Sequence, residues 1–103
     1  MPAKTATERE RDVALKEKPD FPRKFKVILL NDDVTSMDFV VSVLVEIFHH
    51  TAQSAVTVML KIHNEGSGVA GVYNKEIAQT KQNQTLKAAA AAGYPLKAVV
   101  EEE

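Results

Sequence analysis

The chain has 103 residues, 45% of them hydrophobic and 26% charged, with a formal net charge of −1 and no cysteine. That length supports one small domain around a single core, and the near-neutral balance argues against nucleic-acid binding, which favours a strongly basic surface. The missing cysteines exclude disulfides, thiolate zinc sites and cysteine nucleophiles, and no apolar run approaches the ~20 residues of a membrane-spanning helix.

Residues 1–22 alternate charge from Glu8 to Asp12 and again from Lys16 to Asp20, and they hold three of the four prolines. Such composition predicts a mobile N-terminal extension, with Val13 and Leu15 as its candidate anchors, ahead of a core domain over 23–103. The first residues carry mixed charge and no apolar h-region, so a cytoplasmic location is expected.

The apolar, β-branched stretch 24–30 predicts a buried strand that ends in the turn formers Asn31, Asp32 and Asp33. Thr35 followed by Asp38 resembles a capping box. The helix it opens carries Met37, Val40, Val41, Leu44, Ile47 and Phe48 on one face, closed by His49 and His50. Thr51 is placed to cap a second helix over about 52–64, with the stripe Ala52, Ala55, Val56, Met59, Ile62 and His63. Gly66 and Gly68 are read as its breakers, and 69–73 as a second strand. Asn74 is placed to cap a third helix over 75–92 that ends at Gly93; its polar middle, 79–85, predicts an outer position. Residues 95–100 complete the pattern as a third strand. The order β-α-α-β-α-β predicts a small two-layer α+β domain, a three-stranded sheet with three helices packed on one face.

Four polar groups stand out. Asn31, Asp32 and Asp33 lie between a buried strand and an amphipathic helix, and His63 ends an otherwise apolar stripe that includes Met59 and Ile62. If the first two helices pack together, these groups flank one recess. Its rim offers acceptors: an amide oxygen, carboxylates and a neutral imidazole nitrogen. Its walls, Met37, Val40, Met59 and Ile62, are apolar. A free α-ammonium followed by a large apolar side chain has the matching pieces. The residues alone leave plainer readings open: Asn-Asp-Asp as a turn and cap, His63 as a boundary histidine, the methionines as core, and Asp/Asp/His as a metal set. No HExxH, GxSxG, P-loop or GxGxxG pattern is present.

Three separated motifs go further. Residues 26–40 (KVILLNDDVTSMDFV) closely resemble the signature of the ClpS adaptors, Asn-Asp-Asp-x-Thr-x-Met-x-Phe-Val after a strand. Met59-Leu-Lys-Ile-His63 with Gly66 resembles that family's Met-Leu-x-x-His-x-x-Gly. Gly71-Val-Tyr followed by Glu76-Ile-Ala-Gln-Thr-Lys81 resembles its Gly-Val-x-x-x-Glu-x-Ala-x-Thr-Lys. The resemblance runs in order through 24–100. It implies a non-enzymatic, cofactor-free and metal-free adaptor, expected to be monomeric, that binds proteins beginning with Leu, Phe, Tyr or Trp and delivers them to the ClpAP protease. Asn31, Asp32 and His63 would then bind the α-amino group, supported by Asp33 and Thr35. Met37, Val40, Met59, Ile62 and Leu96 would wall the side-chain pocket, and Glu76 and Lys81 would dock the N-terminal domain of ClpA or a ClpC-like unfoldase. The extension 1–22 would serve delivery. A general protein-interaction domain without N-terminal-residue recognition is the alternative. This chain departs from the family pattern at Ser36, where proline is frequent, and at Val34, where an aromatic residue is commoner.

Overall fold

The computed structural model describes residues 23–103; the extension expected over 1–22 lies outside the described residues. The elements are β1 (Phe25–Leu30), α1 (Met37–Glu46), α2 (Ala52–Glu65), β2 (Ser67–Tyr73), α3 (Lys75–Ala92) and β3 (Lys97–Glu102). They form an α+β fold with one three-stranded antiparallel sheet in the order β2-β1-β3. β1 takes the centre because it is the most apolar strand. Val27 and Leu29 are fully buried, whereas the alternate residues Lys26, Ile28 and Leu30 are half-buried. That alternation marks a sheet covered by helices on one face and open on the other.

Each helix begins at a side-chain cap. Ser36, Thr51 and Asn74 accept from the backbone N–H of Phe39, Ser54 and Ile77, respectively. Thr51 and Asn74 are the expected caps, but α1 starts one residue later than its capping-box pattern suggests. Ser36 holds extended geometry (φ −71°, ψ 149°) and caps, which frees the Thr35 hydroxyl for another partner. The serine that replaces a frequent proline thus supplies its own helix start.

The packed faces differ in detail from the sequence pattern. In α1, Val40, Val43, Leu44 and the following Phe48 are buried, while Met37 is 43% exposed. In α2, Ala55 and Ile62 are buried, Val58 and Met59 pack on the core, and Val56 turns outward. The α2 stripe sits between α1 and β2, so it rotates toward Val58 and away from Val56 and His63. The middle of α3 is not wholly outward. Thr85 is fully buried with its hydroxyl donating to the Lys81 carbonyl at 2.9 Å, and the Gln82 amide donates to the Ala98 carbonyl at 2.8 Å.

Two boundaries also shift. Gly66 ends α2 with φ 94°, a conformation that L side chains rarely adopt. Gly68, expected to be a second breaker, lies inside β2. A Cβ there would meet Ile62 Cγ1 at 2.8 Å, so its bareness allows β2 to pass close under α2. β3 starts at Lys97 rather than Pro95, because Leu96 turns into the core at 3% exposure.

Candidate functional site

β1 pairs with β2 through Leu30 and Ser67. The next residues outward, Asn31 and Gly66, therefore meet, and the Asn31 N–H donates to the Gly66 carbonyl at 2.9 Å. Gly66 in turn donates to the Ile62 carbonyl at 2.9 Å, the last bond of α2. The loop after β1 is thereby fastened to the end of α2 that carries His63.

Between loop and helices lies a cavity of about 370 Å³. Asn31, Asp32, Asp33, Val34, Thr35 and Ser36 line it from the loop, Met37 and Val40 from α1, and Met59, Ile62 and His63 from α2. Nine of the residues singled out in the sequence are therefore brought to one cavity. Leu96, expected in the wall, is not among its lining residues and is buried in the core beneath. Val34 and Ser36 were not assigned to the recess. The available signal was their position within the same short loop, and Val34 is 63% exposed.

The cavity has two chemical sides. Val40 and Ile62 are buried and Met59 is half-buried, so the inner wall is apolar; Met37 stands half in solvent at the mouth. Asn31, Asp33 and His63 are exposed at the rim, and Asp32 is half-buried. The Asp32 carboxylate organises the loop. Oδ1 accepts from the N–H of Val34 at 2.8 Å and of Thr35 at 2.7 Å, and Oδ2 accepts from the Thr35 hydroxyl at 2.7 Å. Burial alone would raise its pKa. The donors of Thr35 and Val34 outweigh that and hold the carboxyl below its ordinary 3.8. Asp32 is thus a fixed anion, with about one of its four lone-pair sites left for a cation.

Glu76 is exposed in the first turn of α3. Lys81 is half-buried, with Nζ donating to the Ile47 carbonyl just past α1 at 2.6 Å and lying 5.9 Å from the centre of the Tyr73 ring. Five residues apart, the two lie about 140° apart around the helix. His50, read from the sequence only as closing the first helix, has partners of its own. Ala70 is the extra residue of a bulge in β2, which leaves its backbone outside the ladder. His50 Nε2 donates to the Ala70 carbonyl at 2.6 Å while Nδ1 meets the Ser54 hydroxyl at 2.7 Å. Among the described residues no group of three or more His, Cys, Asp or Glu is placed to hold a metal ion, and no helix is long and apolar enough to cross a membrane.

Comparison with known proteins adds four findings. The sequence model of the family described as "ATP-dependent Clp protease adaptor protein ClpS" matches residues 20–99. The chain is 54% identical over 82 residues to the ATP-dependent Clp protease adapter protein ClpS of Campylobacter jejuni, spanning 80% of this chain and 85% of that one. It is 46% identical over 99 residues to the protein of the same name from Oleidesulfovibrio alaskensis, spanning 96% and 95%. Among solved structures, Agrobacterium tumefaciens ClpS2 bound to L-phenylalaninamide aligns with a TM-score of 0.78 at 37% identity, covering 81% of this chain and all of the other.

Proposed function

The chain belongs to the ClpS family of Clp protease adaptors, and on that premise we propose that it binds proteins beginning with Leu, Phe, Tyr or Trp and delivers them to ClpAP or a ClpC-containing relative. Members of this family are adaptors rather than enzymes. The recognition proposed here accordingly makes and breaks no covalent bond.

The observation that carries the reading is the two-sided cavity. Asn31, Asp32 and His63 offer acceptors for the three N–H donors of an α-ammonium, and Met37, Val40, Met59 and Ile62 line the space for the first side chain. Asp33 adds negative charge at the rim, and Thr35 acts by holding Asp32. A Leu or Phe side chain contributes roughly 1.5–3 kcal/mol on burial, and a hydrogen bond to a charged group roughly 1.5–3 kcal/mol. After the cost of association, an affinity near micromolar, about −8 kcal/mol, is in reach. The phenylalaninamide held by the Agrobacterium relative, an aromatic residue with a free amino group, is the chemistry this cavity suits.

Delivery needs a second contact. Glu76 and Lys81 on α3 are the residues proposed to engage the unfoldase N-terminal domain, with residues 1–22 assisting transfer. The proposed work takes place in the cytoplasm. Fluorescence titration with decapeptides that differ only in residue one tests the reading: Leu, Phe, Tyr and Trp bind and Ala, Asp and Lys do not. A chain that binds all seven alike is an interaction domain without first-residue recognition.

A further inference from the structure

The chain has no cysteine and three methionines, Met1, Met37 and Met59. Met1 lies outside the described residues. The other two both line the cavity between the loop and the helices, whereas the buried apolar core is built of Val, Leu, Ile, Phe and Ala. All the sulfur of the described residues therefore stands at the recognition site. We propose that Met37 is a site of reversible oxidation by hydroperoxides, and that its sulfoxide weakens first-residue binding while the fold stands. The inference rests on the first-residue reading above and adds a regulation to it.

Exposure decides which sulfur reacts first. Met37 opens α1 at the cavity mouth and is 43% exposed. Met59 is half-buried and packs against the core. A hydroperoxide is uncharged, so the carboxylates of Asp32 and Asp33 at the same mouth do not repel it. A lone pair of the thioether takes the outer peroxide oxygen, and the S–O bond forms as the O–O bond breaks. The departing oxygen takes up the hydroperoxide's own proton through water and leaves as water or an alcohol. Sulfur gives up two electrons, the peroxide accepts them, and the apolar side chain becomes a polar sulfoxide.

The direction of the effect follows from the polar groups already present. An α-ammonium has three donors, and Asn31, Asp32 and His63 offer acceptors for them. The sulfoxide oxygen is a further acceptor with no donor left to receive. An apolar first side chain seated against it strips its water, and an unpaired polar group covered in this way weakens binding at least about five-fold. Ser36 fixes the start of α1 by accepting from the Phe39 N–H, so the modified residue keeps its place at the mouth. If its side chain turns to water instead, the pocket loses that wall and affinity falls as well.

The test treats the full chain, Met37→Leu and Met59→Leu with hydrogen peroxide, then removes the reagent. Peptide mapping by mass spectrometry follows the gain of oxygen at each methionine. Each chain, before and after treatment, is titrated with a Leu-first decapeptide that lacks sulfur, so every chain is its own reference. Met37 is expected to oxidise ahead of Met59. The parent and M59L should lose at least about five-fold in affinity, and M37L should keep its own. Methionine sulfoxide reductases, one for each epimer, should restore the parent. The thermal midpoint of the oxidised parent should stay that of the untreated chain. Oxidation of Met37 without loss of affinity, an equal loss in M37L, or a midpoint that falls with the affinity overturns the proposal. An Nα-acetylated twin of the peptide runs alongside on the untreated parent. If acetylation abolishes binding while oxidation of Met37 leaves affinity unchanged, the redox site alone falls. If acetylation has no effect, the first-residue reading falls and this site's regulation with it.

Discussion

The backbone N–H of Asn31 donates to the carbonyl oxygen of Gly66 across 2.9 Å, joining residues 35 positions apart in the chain. One side of that bond leads into the loop that carries the acidic rim, and the other is the C-cap of the helix that carries Met59, Ile62 and His63. The bond continues the β1–β2 ladder by one step past Leu30 and Ser67. The cavity therefore inherits its rigidity from the sheet rather than from the loop itself.

Gly68→Ala tests how the sheet shapes the cavity. The new methyl would press on Ile62, which is 2% exposed and forms part of the cavity wall. Overpacking of this kind costs about 1–3 kcal/mol. A lower denaturation midpoint is expected, with Trp-first peptides losing more affinity than Leu-first ones. An unchanged midpoint together with an unchanged residue-one profile contradicts this packing.

Thr35→Val tests the loop. Asp32 titrates below its unfolded value when folded, so its contribution to stability is present above the unfolded pKa and is lost as pH falls through the folded one. Valine removes the hydroxyl donor to Oδ2 but leaves the N–H donors to Oδ1. The Asp32 pKa should rise, and the acid-side loss of stability should begin at higher pH, with about 1 kcal/mol lost near neutrality. A carboxyl-detected NMR titration of both proteins checks the direction; an identical Asp32 midpoint would refute the role assigned to the hydroxyl.

Met37→Ala tests selectivity. The side chain lines the mouth of the cavity and is 43% exposed, so its loss opens space without emptying the core. The unmodified protein is expected to reject Val-first and Ile-first peptides, whose β-methyl would meet the Met37 wall, and the variant is expected to accept them. Retained rejection, measured by fluorescence titration, removes Met37 from the selectivity account.

Lys81→Met tests whether that side chain acts inward or outward. Its ammonium meets the Ile47 carbonyl at the end of α1, where a cation contributes about 0.3–1 kcal/mol and up to ~2 when partly buried. Thermal unfolding should show a loss of this order, with partial rescue by Lys81→Arg. Glu76→Gln, on an exposed carboxylate, should weaken calorimetric binding to the unfoldase N-terminal domain at unchanged stability. If K81M is as stable as the parent, the Ile47 bond contributes nothing.

What was legible in the sequence was local. The run from Phe25 to Leu30, the caps Thr51 and Asn74, the terminator Gly93 and the spacing of Val40, Leu44 and Phe48 each declare themselves within one turn or one strand. The motifs around Asn31, Met37 and His63 named most of the cavity lining for the same reason. What escaped depended on long-range geometry. The Ala70 bulge, and the His50 ring that satisfies it, exist only because β2 pairs with β1 out of simple register. Thr35 looked like a cap because its pull toward Asp32 cannot be seen in spacing alone. Gly68 looked like a breaker because the closeness of Ile62 is a property of the packed layers. Lys81 looked like a surface residue because a helix pattern does not reveal what ends beside it.

The most direct measurement is a pair of anisotropy titrations with one Leu-first decapeptide and its Nα-acetylated twin. Acetylation removes the charge and two of the three donors while leaving the leucine side chain intact. At roughly 1.5–3 kcal/mol for each charged hydrogen bond lost, the free peptide should bind near micromolar and the acetylated one at least about 100-fold more weakly. Equal affinity for the two peptides would contradict the account.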